Sequence, residues 1–85
     1  MRTFAYTITD EVGIHARPAS ELVKAAKEFQ SEITLEADGK RADARRLMAV
    51  MAMGIRKGQT VNVSVSGPDE ESAAAAVEEF FRTNL

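Results

Sequence analysis

Thr60-Val61-Asn62-Val63-Ser64-Val65-Ser66 is the most regular stretch of the chain. Three valines alternate with four short polar residues, the period that places every second side chain on one face of a strand. One face of this strand is expected to be packed and the other wet, as in an antiparallel sheet covered on one side. The flanking residues supply the cover. Gly67-Pro68-Asp69 breaks the strand and starts a helix, with Asp69 as its N-cap and Glu70 and Glu71 in the first turn, where the helix dipole favours negative charge. Ala73, Val77, Phe80 and Phe81 give that helix a core-facing stripe.

Working back toward residue 1, three more strands and two more helices appear. In Thr3 to Thr9, Phe4, Tyr6 and Ile8 alternate with Thr and Ala, a half-buried strand. Glu32 to Ala37 is a second strand, with Ile33 and Leu35 on one side, and Asp38-Gly39 is a strong hairpin signal. Lys40 to Asp43 returns as a short edge strand whose charge discourages edge pairing. Arg46 to Met53 forms a short helix, closed by Gly54 in a left-handed cap, with Leu47, Val50 and Met51 on one face. Ala16 to Phe29 is an amphipathic helix with Ala19, Leu22, Val23, Ala26 and Phe29 at the spacing of one face and a Lys24–Glu28 pair on the polar side. The order β-α-β-β-α-β-α implies an α+β protein: a two-layer open-faced sandwich, a four-stranded antiparallel sheet with three helices on one face. Residues 1–85 are expected to form one domain with a modest core.

Composition narrows the function classes. The 85 residues contain no cysteine, so neither a disulfide framework nor thiolate chemistry is available, which fits a reducing cytoplasm. No hydrophobic run reaches membrane-spanning length and no signal peptide opens the sequence, which implies a cytoplasmic protein without membrane insertion. A net charge of −2 argues against nucleic acid as the main partner. The basic cluster Lys40, Arg41, Arg45 and Arg46 is interrupted by Asp43 and lacks aromatic neighbours, and reads as a solvated hairpin. Neither a metal-ligand grouping nor a nucleotide loop is present, so no cofactor and no metal are expected.

The chemistry concentrates in Gly13-Ile14-His15-Ala16-Arg17-Pro18-Ala19-Ser20, which holds the only histidine. Gly13 suits a tight turn, and Pro18 fits the first turn of the helix that follows. His15 therefore falls at the helix N-terminus, where the Ala16 and Arg17 backbone N–H groups lack helical partners and the dipole is positive. Arg17 adds a planar fork of donors that matches a phosphate. A neutral imidazole has a lone pair with which to attack a phosphoryl donor, and the helix amides and Arg17 would then offset the new charge. With no general base beside it, such a histidine is an acceptor that waits for a partner's active site.

Gly-Ile-His-Ala-Arg-Pro-Ala-Ser resembles the active-site signature of the HPr family, the histidine-containing phosphocarriers of the bacterial phosphoenolpyruvate-dependent phosphotransferase system. The likeness runs through Ser31 to Leu35, Asp38 to Lys40, Met48 to Gly54, Lys57-Gly58 and the final acidic helix. The resemblance implies that His15 is the phosphoacceptor, through Nδ1, and that Arg17 stabilises the phosphoryl group. It implies enzyme I as donor and enzyme IIA proteins as acceptors in sugar uptake, with no activity as an enzyme in its own right. It implies docking through Ser20, Lys24, Lys27, Leu47, Met48 and Met51, the last three as a partly exposed apolar patch. A monomer suits a carrier that shuttles between partners. The alternative is a ferredoxin-like module binding RNA or a small ligand, although Thr, Asn and Ser on the open side of residues 60–66 are poor stacking partners for bases.

Two positions depart from the family. Val12 stands where relatives often place a polar side chain near the phosphate. Arg46 occupies the position of a serine that many relatives in low-GC Gram-positive bacteria offer to a regulatory kinase, and Asp43 is left to cap the second helix in its place. No hydroxyl lies between Gly39 and Gln59. Incubation with such a kinase is expected to leave peptides from residues 40–58 unmodified by mass, whereas phosphate found there would overturn this register.

Overall fold

A computed structural model describes all 85 residues as β1 (Arg2–Thr7), α1 (Ala16–Ala26), β2 (Glu32–Ala37), β3 (Lys40–Asp43), α2 (Leu47–Ala52), β4 (Thr60–Ser66) and α3 (Glu70–Asn84). The strands form one sheet in the order β1-β4-β2-β3, with every neighbouring pair antiparallel. This is the expected open-faced sandwich. β1 and β2, each antiparallel to the β4 strand between them, run parallel to each other and are joined by α1, a split βαβ crossover.

The alternation in β4 carries the layering. Val61, Val63 and Val65 are fully buried, while Thr60, Asn62 and Ser66 are exposed. Register extends that buried face across the sheet: Phe4 stands opposite Val63, Leu35 opposite Val63 on the other side, and Ala42 opposite Leu35. Phe81 from α3 closes over this face, its ring packing edge-on against Phe4 (centroids 5.9 Å apart) and Tyr6 (5.6 Å). Ala73, Val77 and Phe81 are the buried positions of α3, and Phe80 is only half-buried. On α1, Pro18, Ala19, Leu22, Val23 and Ala26 are buried.

Several local expectations needed correction. The first strand ends at Thr7, and Ile8, buried beyond it, is held by its N–H to the Gln59 carbonyl (3.0 Å). Helix α1 stops at Ala26 and not at Phe29; Glu28 and Phe29 donate to Ala25 and Ala26 in tightened turns. Glu28 thus lies off the helix and makes no ion pair with Lys24; the ion pair on α1 is Arg17–Glu21. Arg46 is the N-cap residue of α2, outside the helix proper. Asp43 does not cap α2, since its Oδ1 accepts the Arg45 N–H (2.9 Å) and shapes the turn before it.

Two charged side chains join the α1–β2 connection to distant parts of the chain. The Arg45 guanidinium donates to the carbonyls of Phe29 and Ser31, the latter at 2.9 Å, so it is a clamp and not a solvated hairpin charge. Asp69 makes no capping bond on α3. Its carboxylate instead accepts the N–H groups of Gln30 and Ser31, each at 2.9 Å, and the Ser31 hydroxyl. Ser31 is the one fully buried polar side chain, and this bond satisfies it.

The Ser31 hydroxyl, followed by the Gln30 N–H, holds the Asp69 carboxyl below its ordinary value of 3.8. A carboxyl depressed in the folded state stabilises the fold above its unfolded value, and that contribution is lost as pH falls through the folded one. Melting curves of wild type and Asp69→Asn are therefore expected to differ by a constant amount between about pH 5 and 8 and to converge below about pH 4. A gap that persists unchanged into acid would mean that the carboxylate's charge is irrelevant to the clamp.

Candidate functional site

The loop Asp10 to His15 is fixed by backbone contacts on both sides. At its start, the Thr9 and Asp10 N–H groups donate to the Leu85 carbonyl at 2.6 and 2.8 Å, and the Thr9 hydroxyl donates to the same oxygen. Within it, Asp10 Oδ1 accepts the Val12 N–H (2.8 Å) and the Asp10 carbonyl accepts the Gly13 N–H (3.1 Å). At its far end, the Ile14 N–H donates to the Ile55 carbonyl (3.0 Å). Gly13 makes that approach possible. Its φ is +76°, and a Cβ placed there would lie 2.3 Å from the Ile55 carbonyl oxygen.

His15 follows as the N-cap residue of α1, with extended backbone (φ −97°, ψ −173°). Its carbonyl accepts the Ala19 N–H, while its half-buried ring makes no capping bond. The Ala16 and Arg17 N–H groups have no backbone acceptor, and Pro18 has no N–H to satisfy. Beside the ring lies a shallow cleft of about 240 Å³. Asp10, His15, Arg17, Pro18 and Glu21 form one side of it, and Thr83 and Asn84 at the end of α3 form the other. Arg17 is highly exposed and its Nε lies 3.9 Å from Glu21 Oε2.

Two residues named from sequence, His15 and Arg17, are thus brought to one cleft. Val12 is 64% exposed and does not line it. Ser20 and Lys24 are exposed on α1, which packs against α2, and Lys27 is exposed at its C-cap. On α2, Met48 is 77% exposed, Met51 is exposed and Leu47 half-buried, whereas Val50 is fully buried. Arg46 is exposed and engages no acidic partner. Glu21, Thr83 and Asn84 line the cleft without having been singled out in the sequence. Glu21 alone carried a local signal, since it stands four residues after Arg17 on a helix.

Comparison with known proteins decides the family. The family of the PTS HPr component phosphorylation site matches residues 2–83. The chain belongs to the HPr family. A solved Mycoplasma histidine-containing phosphocarrier protein shares 40% identity, with 93% of this chain and 90% of that one covered at a TM-score of 0.91. An HPr from Thermoanaerobacter tengcongensis is 35% identical over 98% of this chain and 93% of that one, with a TM-score of 0.92. Bacillus subtilis Crh, solved as a domain-swapped dimer, is 29% identical over 94% and 92%, with a TM-score of 0.78. This HPr-family chain is therefore a phosphotransferase-system phosphocarrier and not an enzyme. None of its helices is long and apolar enough to cross a membrane.

The Gly13 contact sets an expectation for stability. Gly13 and Gly39 share a φ of +76°, but a Cβ at Gly39 meets nothing within 4 Å. Gly39→Ala then reports backbone strain alone, about 1 kcal/mol, and Gly13→Ala adds the clash with Ile55 and Arg56. Unfolding free energies from denaturant titration are expected to fall further for Gly13→Ala by at least about 1 kcal/mol, and equal losses would show that the loop moves aside freely.

Proposed function

We propose that His15 accepts a phosphoryl group from phosphorylated enzyme I and passes it to enzyme IIA proteins in sugar uptake. The observation that carries this reading is the half-buried imidazole at the N-cap of α1, beside two unpartnered amides and an exposed guanidinium. The lone pair of the neutral ring, at Nδ1, forms the bond to phosphorus as the donor's bond to phosphorus breaks and takes its electrons with it. The Ala16 and Arg17 N–H groups and the Arg17 side chain face the charge that arrives. No base in the cleft is needed, because a neutral imidazole has no proton to lose from the attacking nitrogen.

Exposure supports the transfer half of the reading. A half-buried ring in an open cleft can be reached by a partner's nucleophile, which a closed pocket would prevent. Met48 and Met51 on α2 are adaptable apolar contacts, and the exposed Ser20 and Lys24 of the neighbouring α1, with Lys27 at its C-cap, would supply a polar rim. The protein works in the cytoplasm as a single domain over residues 1–85 and as a monomer, which frees the docking face for each partner in turn. It needs no cofactor or metal.

Incubation with phosphoenolpyruvate and enzyme I tests the assignment. The intact mass is expected to rise by one phosphoryl group that is acid-labile, alkali-stable and absent from His15→Ala. Addition that survives acid, or that persists in His15→Ala, would place the acceptor elsewhere.

A further inference from the structure

The cleft beside His15 is not uniformly basic: Asp10 and Glu21 line it together with Arg17. Their carboxylates differ in commitment. Asp10 Oδ1 already accepts the Val12 N–H and holds the loop. Glu21 makes only the 3.9 Å contact with Arg17, in a pair whose side chains are 49% and 84% exposed. An ion pair this open contributes little to the fold, so it is readily exchanged for a better partner. Its spacing of four residues on α1 nevertheless puts the two groups on the same helix face, within reach of each other.

We propose that Glu21 is a positioning residue that competes with the phosphoryl group for Arg17 and so poises the phosphohistidine for release. The proposal rests on the assignment of His15 as phosphoacceptor. In the free carrier, Glu21 holds the guanidinium beside the cleft, ready but engaged. When the dianionic phosphoryl group arrives, Arg17 turns to it, and Glu21 is left as an unpaired carboxylate next to a second anion. That repulsion exists only in the loaded state, so it favours unloading, which is the step a carrier must not block. On transfer, the phosphorus–nitrogen bond breaks with its electron pair returning to the imidazole, and the acceptor's nucleophile forms the new bond. Glu21 takes part in neither bond; it sets the balance between the two states.

The test compares wild type, Glu21→Gln and Glu21→Asp, each also combined with Arg17→Ala. Each protein is equilibrated with enzyme I, phosphoenolpyruvate and pyruvate at low ionic strength, and the loaded-to-free ratio is read by intact mass. The lifetime of the isolated loaded form is read by phosphorus NMR. Glu21→Gln is expected to raise the loaded-to-free ratio about three- to tenfold and to lengthen the lifetime. The gain should shrink in concentrated salt. Glu21→Asp should stay near wild type, and the Gln effect should be smaller without Arg17. Unchanged thermal melting would separate these effects from folding. A Glu21→Gln ratio equal to wild type at low salt overturns the proposal. Absence of loading in wild type would overturn the phosphoacceptor assignment and this proposal with it, and it would be seen before any variant is compared.

Discussion

The sheet has one covered face, and the placement of every other element follows from that. β4 runs between β1 and β2 and buries Val61, Val63 and Val65 completely, so apolar cover must lie along its whole length on one side. Helices supply it, with Phe81 seated over Phe4 and Tyr6 and the buried stripe of α1 packed beside α3. Because α1 lies on that side, its N-terminus meets the loop that leaves β1, and an imidazole at the N-cap stands at the edge of the two layers. It is neither sealed in the core nor free on a strand. Burying the three valines is worth roughly 1.5–3 kcal/mol each against leaving them in water, far more than any single polar contact in the loop. The hydrophobic layer therefore sets the frame, and the loop's hydrogen bonds adjust the site within it.

The sheet and the turns that bound its strands were legible because their signals are local. Alternation in residues 60–66, the Asp38-Gly39 turn and the left-handed Gly54 each depend on neighbours in sequence, and each appears where expected. The misreadings share a different cause: a polar side chain had two possible uses, and the chosen one involved residues far away. Asp69 satisfies Gln30 and Ser31, 39 and 38 positions earlier, and gives up its helix cap. Arg45 reaches back to Phe29 and Ser31 and leaves the basic cluster that its sequence neighbours suggested. Phe29 kept the helical spacing but not the helix, because the chain must turn after Ala26 to enter β2. The second side of the cleft, Thr83 and Asn84, lies at the end of α3 and had no local sign of its role.

Arg17 and Arg45 show how one residue type serves opposite ends. The Arg45 fork is spent on two backbone carbonyls and fixes a connection in place. The Arg17 fork meets only an exposed carboxylate at the limit of ion-pair distance. A guanidinium with its donors filled fixes a connection, whereas one with them nearly empty is free to take another partner. The same contrast separates Val50, fully buried on α2, from Met48, which stands almost free on the same short helix.

The Leu85 carbonyl that receives the Thr9 and Asp10 amides ties one of the earliest segments of the chain to one 76 positions later. A ribosome adds about 5–20 residues per second, so residues 10–15 are joined several seconds before the oxygen that anchors them exists. During that interval the octet is already synthesised, histidine and arginine included, but its loop lacks that anchor. Leu85, made this late, thus completes the anchoring of a loop near the other end of the sequence.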